Sequence, residues 1–152
     1  MYIMKQLSII ILLSLWMTSC SKTHESSHVP NAAIEAFNAK FPGAEKVEWE
    51  VEEEGVWEAE FVLGGSKYSS NFKEDGTWLE TERQLSEDEL PSDISSLLKQ
   101  QFMDFEVEGA ELVETPEGKS YEIDIEKAEK LIEVIIDSQG NLSSKELEDE
   151  KD

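Results

Sequence analysis

The sequence predicts an α+β fold: two tandem α-β-β-β-β repeats with their helices packed on one face of antiparallel sheet. Three observations lead there. In two short segments apolar residues recur at spacings of three and four, which puts them on one side of a helix. In the segments that follow, apolar and charged residues alternate, as in strands buried on one face only. The second half also repeats the first. Val29-Pro30 and Phe41 match Leu90-Pro91 and Phe102, and Trp57-Glu-Ala-Glu-Phe61 matches Tyr121-Glu-Ile-Asp-Ile125. A turn glycine, Gly76 or Gly140, follows each aromatic after 19 residues. The offset is 61 at the helices and 64 at the strands, so three residues are inserted between them in the second copy.

The elements follow in order. Residues 1–19 carry one cation, Lys5, and then an apolar run from Leu7 to Met17. That is the length of a secretory core and short of the roughly 20 residues of a membrane-spanning helix, so a signal peptide is expected. Met17-Thr18-Ser19-Cys20 resembles a bacterial lipobox, with Cys20 as the lipid attachment. Cys20 is the only cysteine, so no internal disulfide is possible, and two kinds of acyl chain on it would hold the protein at a membrane. No acid directly follows Cys20, which points to the outer membrane of a bacterial cell envelope, with the domain in the periplasm or at the surface. Residues 20–28 form a polar tether.

Residues 29–84 are the first repeat. Ala33, Ile34, Phe37 and Phe41 form the apolar stripe of its helix, Pro30 suits the first turn, and Pro42-Gly43 ends it. Strands are expected around Val47, Trp49 and Val51, around Trp57, Ala59, Phe61 and Leu63, and around Tyr68, Ser70 and Phe72, with Asp75-Gly76 turning into a fourth. Residues 85–144 are the second repeat, in which Ile94, Leu97, Leu98 and Phe102 form the stripe. Ser86-Glu-Asp-Glu89 ahead of Pro91 has capping-box spacing. The 64-residue offset pairs Trp78 with Leu142 and Leu79 with Ser143, so Trp78 is expected to face the helix. Residues 145–152 are an acidic tail.

Val29-Pro30, Phe41-Pro42-Gly43-Ala44, Val47-Glu48-Trp49-Glu50, Trp57-Glu58-Ala59-Glu60-Phe61, Phe72-Lys-Glu-Asp-Gly76-Thr-Trp78 and Glu89-Leu90-Pro91 resemble the PepSY-like proteins of Bacteroides-type bacteria. That group is related in fold to the secreted β-lactamase inhibitor protein. The resemblance spans about residues 29–144 and is strongest in the first repeat, since the second lacks the Pro-Gly pair and all three tryptophans. It implies a secreted or lipid-anchored module without catalysis that binds or inhibits another envelope protein or peptide.

Charge narrows the partners. The formal net charge is −22, and removing the leader takes away one lysine and no acid. Nucleic acid needs a basic footprint and is excluded, and anionic lipid repels such a chain, so membrane contact falls to the anchor alone. A cationic envelope protein or peptide remains.

His24-Glu25-Ser26-Ser27-His28 fits HExxH letter for letter and gives the alternative reading, a zinc hydrolase. That chemistry needs the two imidazoles one helical turn apart in a dry, supported cleft. Here the motif holds two serines, lacks an apolar face and begins four residues after Cys20, so no metal, cofactor or enzymatic activity is expected. Asn71 to Glu82 has the length of a calcium loop with Gly76 in sixth place, but Lys73 stands where a ligand oxygen belongs, which favours a turn. Trp49, Trp57, Phe61 and Tyr68 are read as core. The residues alternating with them line the uncovered face: Glu48, Glu50, Glu52, Glu58 and Glu60, and in the second repeat Glu122, Asp124 and Glu126. Glu48, Glu50, Glu58 and Glu60 are the candidate partner-binding set; a solvated surface is the alternative.

Overall fold

The computed structural model describes residues 28–147. Helix α1 (Asn31–Lys40) starts after Pro30, whose φ of −59° suits a helix start and which has no N–H to leave unpaired. It stops where the Phe41 N–H bonds back to the Phe37 carbonyl at 2.8 Å and Gly43 turns the chain at φ 89°. Helix α2 (Ser92–Gln101) starts the same way after Pro91. A short 3-10 turn, Glu87–Glu89, precedes it, and the Glu89 carboxylate there accepts from the Ser86 N–H at 2.9 Å and from Arg83 at 2.9 Å.

Eight strands complete the chain: β1 (Glu45–Glu53), β2 (Val56–Leu63), β3 (Ser66–Lys73), β4 (Trp78–Gln84), β5 (Glu106–Thr115), β6 (Gly118–Lys127), β7 (Lys130–Asp137) and β8 (Leu142–Glu146). They form one sheet in chain order, antiparallel throughout. β4 and β5 join its halves, pairing Thr81, Glu82, Arg83 and Gln84 with Glu114, Val113, Leu112 and Glu111.

One face of this sheet carries the core, in two clusters. Under α1, Phe37 is the hub, with its ring centroid 5.0 Å from Phe61, 5.4 Å from both Phe41 and Trp49, and 6.2 Å from Phe72. Under α2, Ile94 and Leu98 pack with Ile123, Ile125, Val134 and Ile136. Burying side chains of this size contributes about 1.5–3 kcal/mol each, which is what holds ten-residue helices that are marginal alone. Trp57 is buried as expected. Val47 and Val51 are not: they are 37% and 41% exposed, because β1 is an edge strand and α1 draws its buried contacts from β2 and β3. Of the three inward residues of β1, Trp49 alone joins the cluster.

Trp78 packs on the first cluster as expected, yet stays partly exposed. A bulge causes this arrangement: Phe72 pairs with Trp78 and Asn71 with Glu80, so Leu79 is the extra residue. The bulge frees the Glu80 carbonyl, which accepts from Trp78 Nε1 at 2.7 Å and from the buried Ser70 hydroxyl at 2.7 Å. Lys40 Nζ lies 3.6 Å from the Trp78 ring centroid and shields its outer side.

The two turn glycines give a test of how firmly α1 is seated. Gly76 and Gly140 sit at φ 84° and 81°, where a side chain costs about 1 kcal/mol. A Cβ on Gly76 would also meet the Ala32 carbonyl oxygen of α1 at 2.6 Å, whereas one on Gly140 meets nothing within 4 Å. In urea unfolding, Gly140→Ala should cost about 1 kcal/mol and Gly76→Ala about 2–4 kcal/mol. Equal losses would mean that α1 is not held against the β3–β4 turn.

Candidate functional site

No element of the described chain covers the second face of the sheet, and acids fill it. Residues directly opposite in antiparallel register share a face, so the pairs Glu48–Glu60 and Glu50–Glu58 place all four predicted glutamates together there. Glu48, Glu50 and Glu60 are exposed and Glu58 is half-buried. Carboxylate oxygens of Glu50, Glu52 and Glu58 lie within 4.8 Å of one another. Next to them Asn71 stands opposite Glu58 and Ser69 opposite Glu60.

The face then runs on through β4 to β8. Asn71 Nδ2 donates to Glu80 Oε1 at 2.9 Å, and the Ser69 hydroxyl donates to Glu82 Oε2 at 3.3 Å. Glu111 stands opposite Glu122, and Asp124 opposite Glu133, which faces Lys145. Glu122 is only 5% exposed, against the sequence expectation of a solvated residue. Glu111 on β5 and Ile135 on β7 flank it, and Glu82 of β4 comes close across the junction of the two halves, so its carboxylate is enclosed by neighbours on three strands. Among the described residues two buried side-chain oxygens lack a hydrogen-bond partner, Asn71 Oδ1 and Glu122 Oε2, and both belong to this face. Such orphaned acceptors each cost about 1–3 kcal/mol.

Crowding and burial keep protons on this face. Glu122 is pushed up to about 8, first by burial and then by Glu82, Glu133, Glu111 and Glu80. Glu82 rises to about 7 by burial and then by Glu111 and Glu80. Glu58 rises to about 7 by burial and by Glu52 and Glu50, against the Ser69 hydroxyl. Glu52, Glu111, Asp124 and Glu133 are also raised, burial leading in each.

Sequence reasoning placed Glu48, Glu50, Glu58 and Glu60 and missed Glu80, Glu82, Glu111 and Glu133. With Trp78 set toward the helix, plain alternation sends Glu80 and Glu82 to the helix side too; the bulge at Leu79 reverses that. Cys20, His24 and Glu25 lie outside the described residues, and His28 is exposed ahead of α1. In the calcium-like stretch Asn71 and Glu82 belong to paired strands, and Asp75 accepts the Thr77 N–H at 2.9 Å in an ordinary turn. Trp49, Phe61 and Tyr68 pack in the first cluster.

Stability should therefore fall as pH rises. Between about pH 5 and 8 the folded state keeps protons on Glu58, Glu82 and Glu122 that the unfolded chain, near 4.5, has released, so raising pH favours unfolding. On the acid side Glu89 works in the opposite sense. The Ser86 N–H and then Arg83 hold it to about 2, so its contribution is present above 4.5 and lost as pH falls toward 2. The melting temperature is expected to peak near pH 5 and to drop by about 5 °C or more by pH 8, the shift of about 1 kcal/mol in a domain this size. A flat profile from pH 5 to 8 would mean that these acids ionise normally.

Comparison with known proteins agrees with this architecture. A BLIP-like protein from Bacteroides fragilis superposes with a TM-score of 0.73 at 20% identity, covering 83% of this chain and 93% of its own. A DUF2874 family protein from Bacteroides ovatus gives 0.72 at 21% identity, over 78% and 88%. A protein from Bacteroides eggerthii, described as a putative periplasmic protein, gives 0.71 at 19%, over 78% and 89%. No curated protein sequence matches. Residues 55–144 match the family model described as "Putative beta-lactamase-inhibitor-like, PepSY-like", and the chain belongs to that PepSY-like family.

Proposed function

We propose that this protein is a lipid-anchored, non-catalytic binding module of the bacterial cell envelope that docks a cationic protein or peptide on the uncovered face of its sheet. One observation carries the reading: among the described residues one sheet face has no covering element and is dominated by acids whose mutual repulsion costs stability. Such a field steers a basic partner in and rejects acidic ones. The BLIP-like and periplasmic descriptions of the structural relatives support binding and an envelope location. The lipobox-like Met17-Thr18-Ser19-Cys20 supports the anchor and the outer membrane. The reading also treats the two halves as copies of one unit, supported by the same order of one helix and four strands in each.

Converting Glu50 and Glu58 to Gln should slow association with the native partner several-fold at low ionic strength, flatten its salt dependence and leave the dissociation rate nearly unchanged. An unchanged association rate would remove this face from the binding reaction. Cys20→Ala should move the protein from the membrane to the soluble fraction, since one residue carries all the acyl chains. A variant that still sediments with membranes and takes up labelled palmitate would end the anchoring assignment.

A further inference from the structure

Glu122 lies at the centre of the acidic face, opposite Glu111 on β5 and Ile135 on β7, with its Oε2 enclosed and unpartnered. We propose that Glu122, together with Glu82 and Glu111, receives the guanidinium of an arginine side chain carried on an exposed segment of the partner protein. The inference rests on the docking role of this face and specifies its chemistry.

The charge of the face fixes the sign of the ligand, and this chain's own cations on it, Lys67, Lys73 and Lys145, belong to strand ends. Geometry separates a guanidinium from a metal ion. Calcium needs six to eight oxygens at about 2.3–2.6 Å. Among the described residues, Glu50, Glu52 and Glu58 are the trio whose oxygens converge within 4.8 Å, and that trio lies at the β1–β2 edge, away from Glu122. The acids around Glu122 are spread over β4, β5 and β7. A planar guanidinium with five N–H donors spans acceptors on strands about 4.8 Å apart, whereas a compact ammonium holds its water more tightly and reaches fewer of them. The second orphaned acceptor, Asn71 Oδ1 on β3, gives a further donor of the same partner a place to bind.

The groups facing Glu122 are Glu80 and Glu82 from β4, Glu111 from β5, Asp124 on its own strand and Glu133 from β7, with Lys145 beyond. They keep a proton on Glu122 near neutrality in the free protein. An entering guanidinium displaces it, so docking releases a proton to solvent and strengthens from pH 6 to 8.

The test is an NMR amide titration of the full chain with acetyl-Gly-Gly-Arg-Gly-Gly-amide, its lysine analogue and its uncharged citrulline analogue. Shifts should centre on Glu82, Glu111 and Glu122. The arginine peptide should bind about tenfold tighter than the citrulline one and detectably tighter than the lysine one. Glu122→Gln should weaken it about tenfold, and Glu50→Gln far less. Should Glu122→Gln fail to melt cooperatively, Glu111→Gln carries the same expectation. Equal binding of citrulline, or calcium alone moving the same amides as strongly, would overturn the proposal. Shifts confined to Glu48, Glu50, Glu58 and Glu60 would overturn it while leaving the docking face in place. No shift anywhere on the face at low salt would remove both.

Discussion

The pairing of β4 with β5 is the constraint on which the molecule's surface chemistry depends. Four residue pairs, continued by the Leu85 N–H bonding the Ala110 carbonyl at 2.8 Å, turn two four-stranded halves into one eight-stranded sheet. Separated, each half would present two edges and a narrow acidic strip. Joined, Glu82 from the first half comes beside Glu111 and Glu122 from the second, and burial, with the overlapping fields after it, raises the proton affinities at the centre. The seam therefore creates the one region of the uncovered face where a carboxylate is buried.

The two faces contribute unequally to folding. On the helix side, rings around Phe37 and branched aliphatics around Leu98 supply the driving force. The opposite side buries Val56 and Val113 but carries much repulsion, which protons and hydroxyls such as Ser69 relieve in part. A helix-backed sheet holds those acids in fixed register, so the array is preformed rather than assembled from mobile loops.

Much of this was legible in the sequence. Helix limits followed from Pro30, Pro42-Gly43 and Pro91, and the alternation in β1 and β2 put Glu48, Glu50, Glu58 and Glu60 on one face. Illegible features had physical causes. A single inserted residue, Leu79, changes which side Glu80 and Glu82 take, and alternation carries no mark of it except the partnering of Glu80 by Trp78 and Ser70, which is a tertiary fact. Burial of Glu122 depends on what stands beside it on the neighbouring strands, Glu111, Ile135 and, across the junction, Glu82, which alternation within β6 does not announce. Val47 and Val51 alternate as core residues do, but an edge strand has a neighbour on one side only.

That edge position matters beyond the site. β1 offers an unpaired row of backbone donors and acceptors and, in Val47, Trp49 and Val51, the alternation that favours addition of a further strand. Another copy approaching in register would have to bring its own Glu48, Glu50 and Glu52 against these. The acids of the outermost strand thus act as gatekeepers against edge-to-edge polymerisation into fibres.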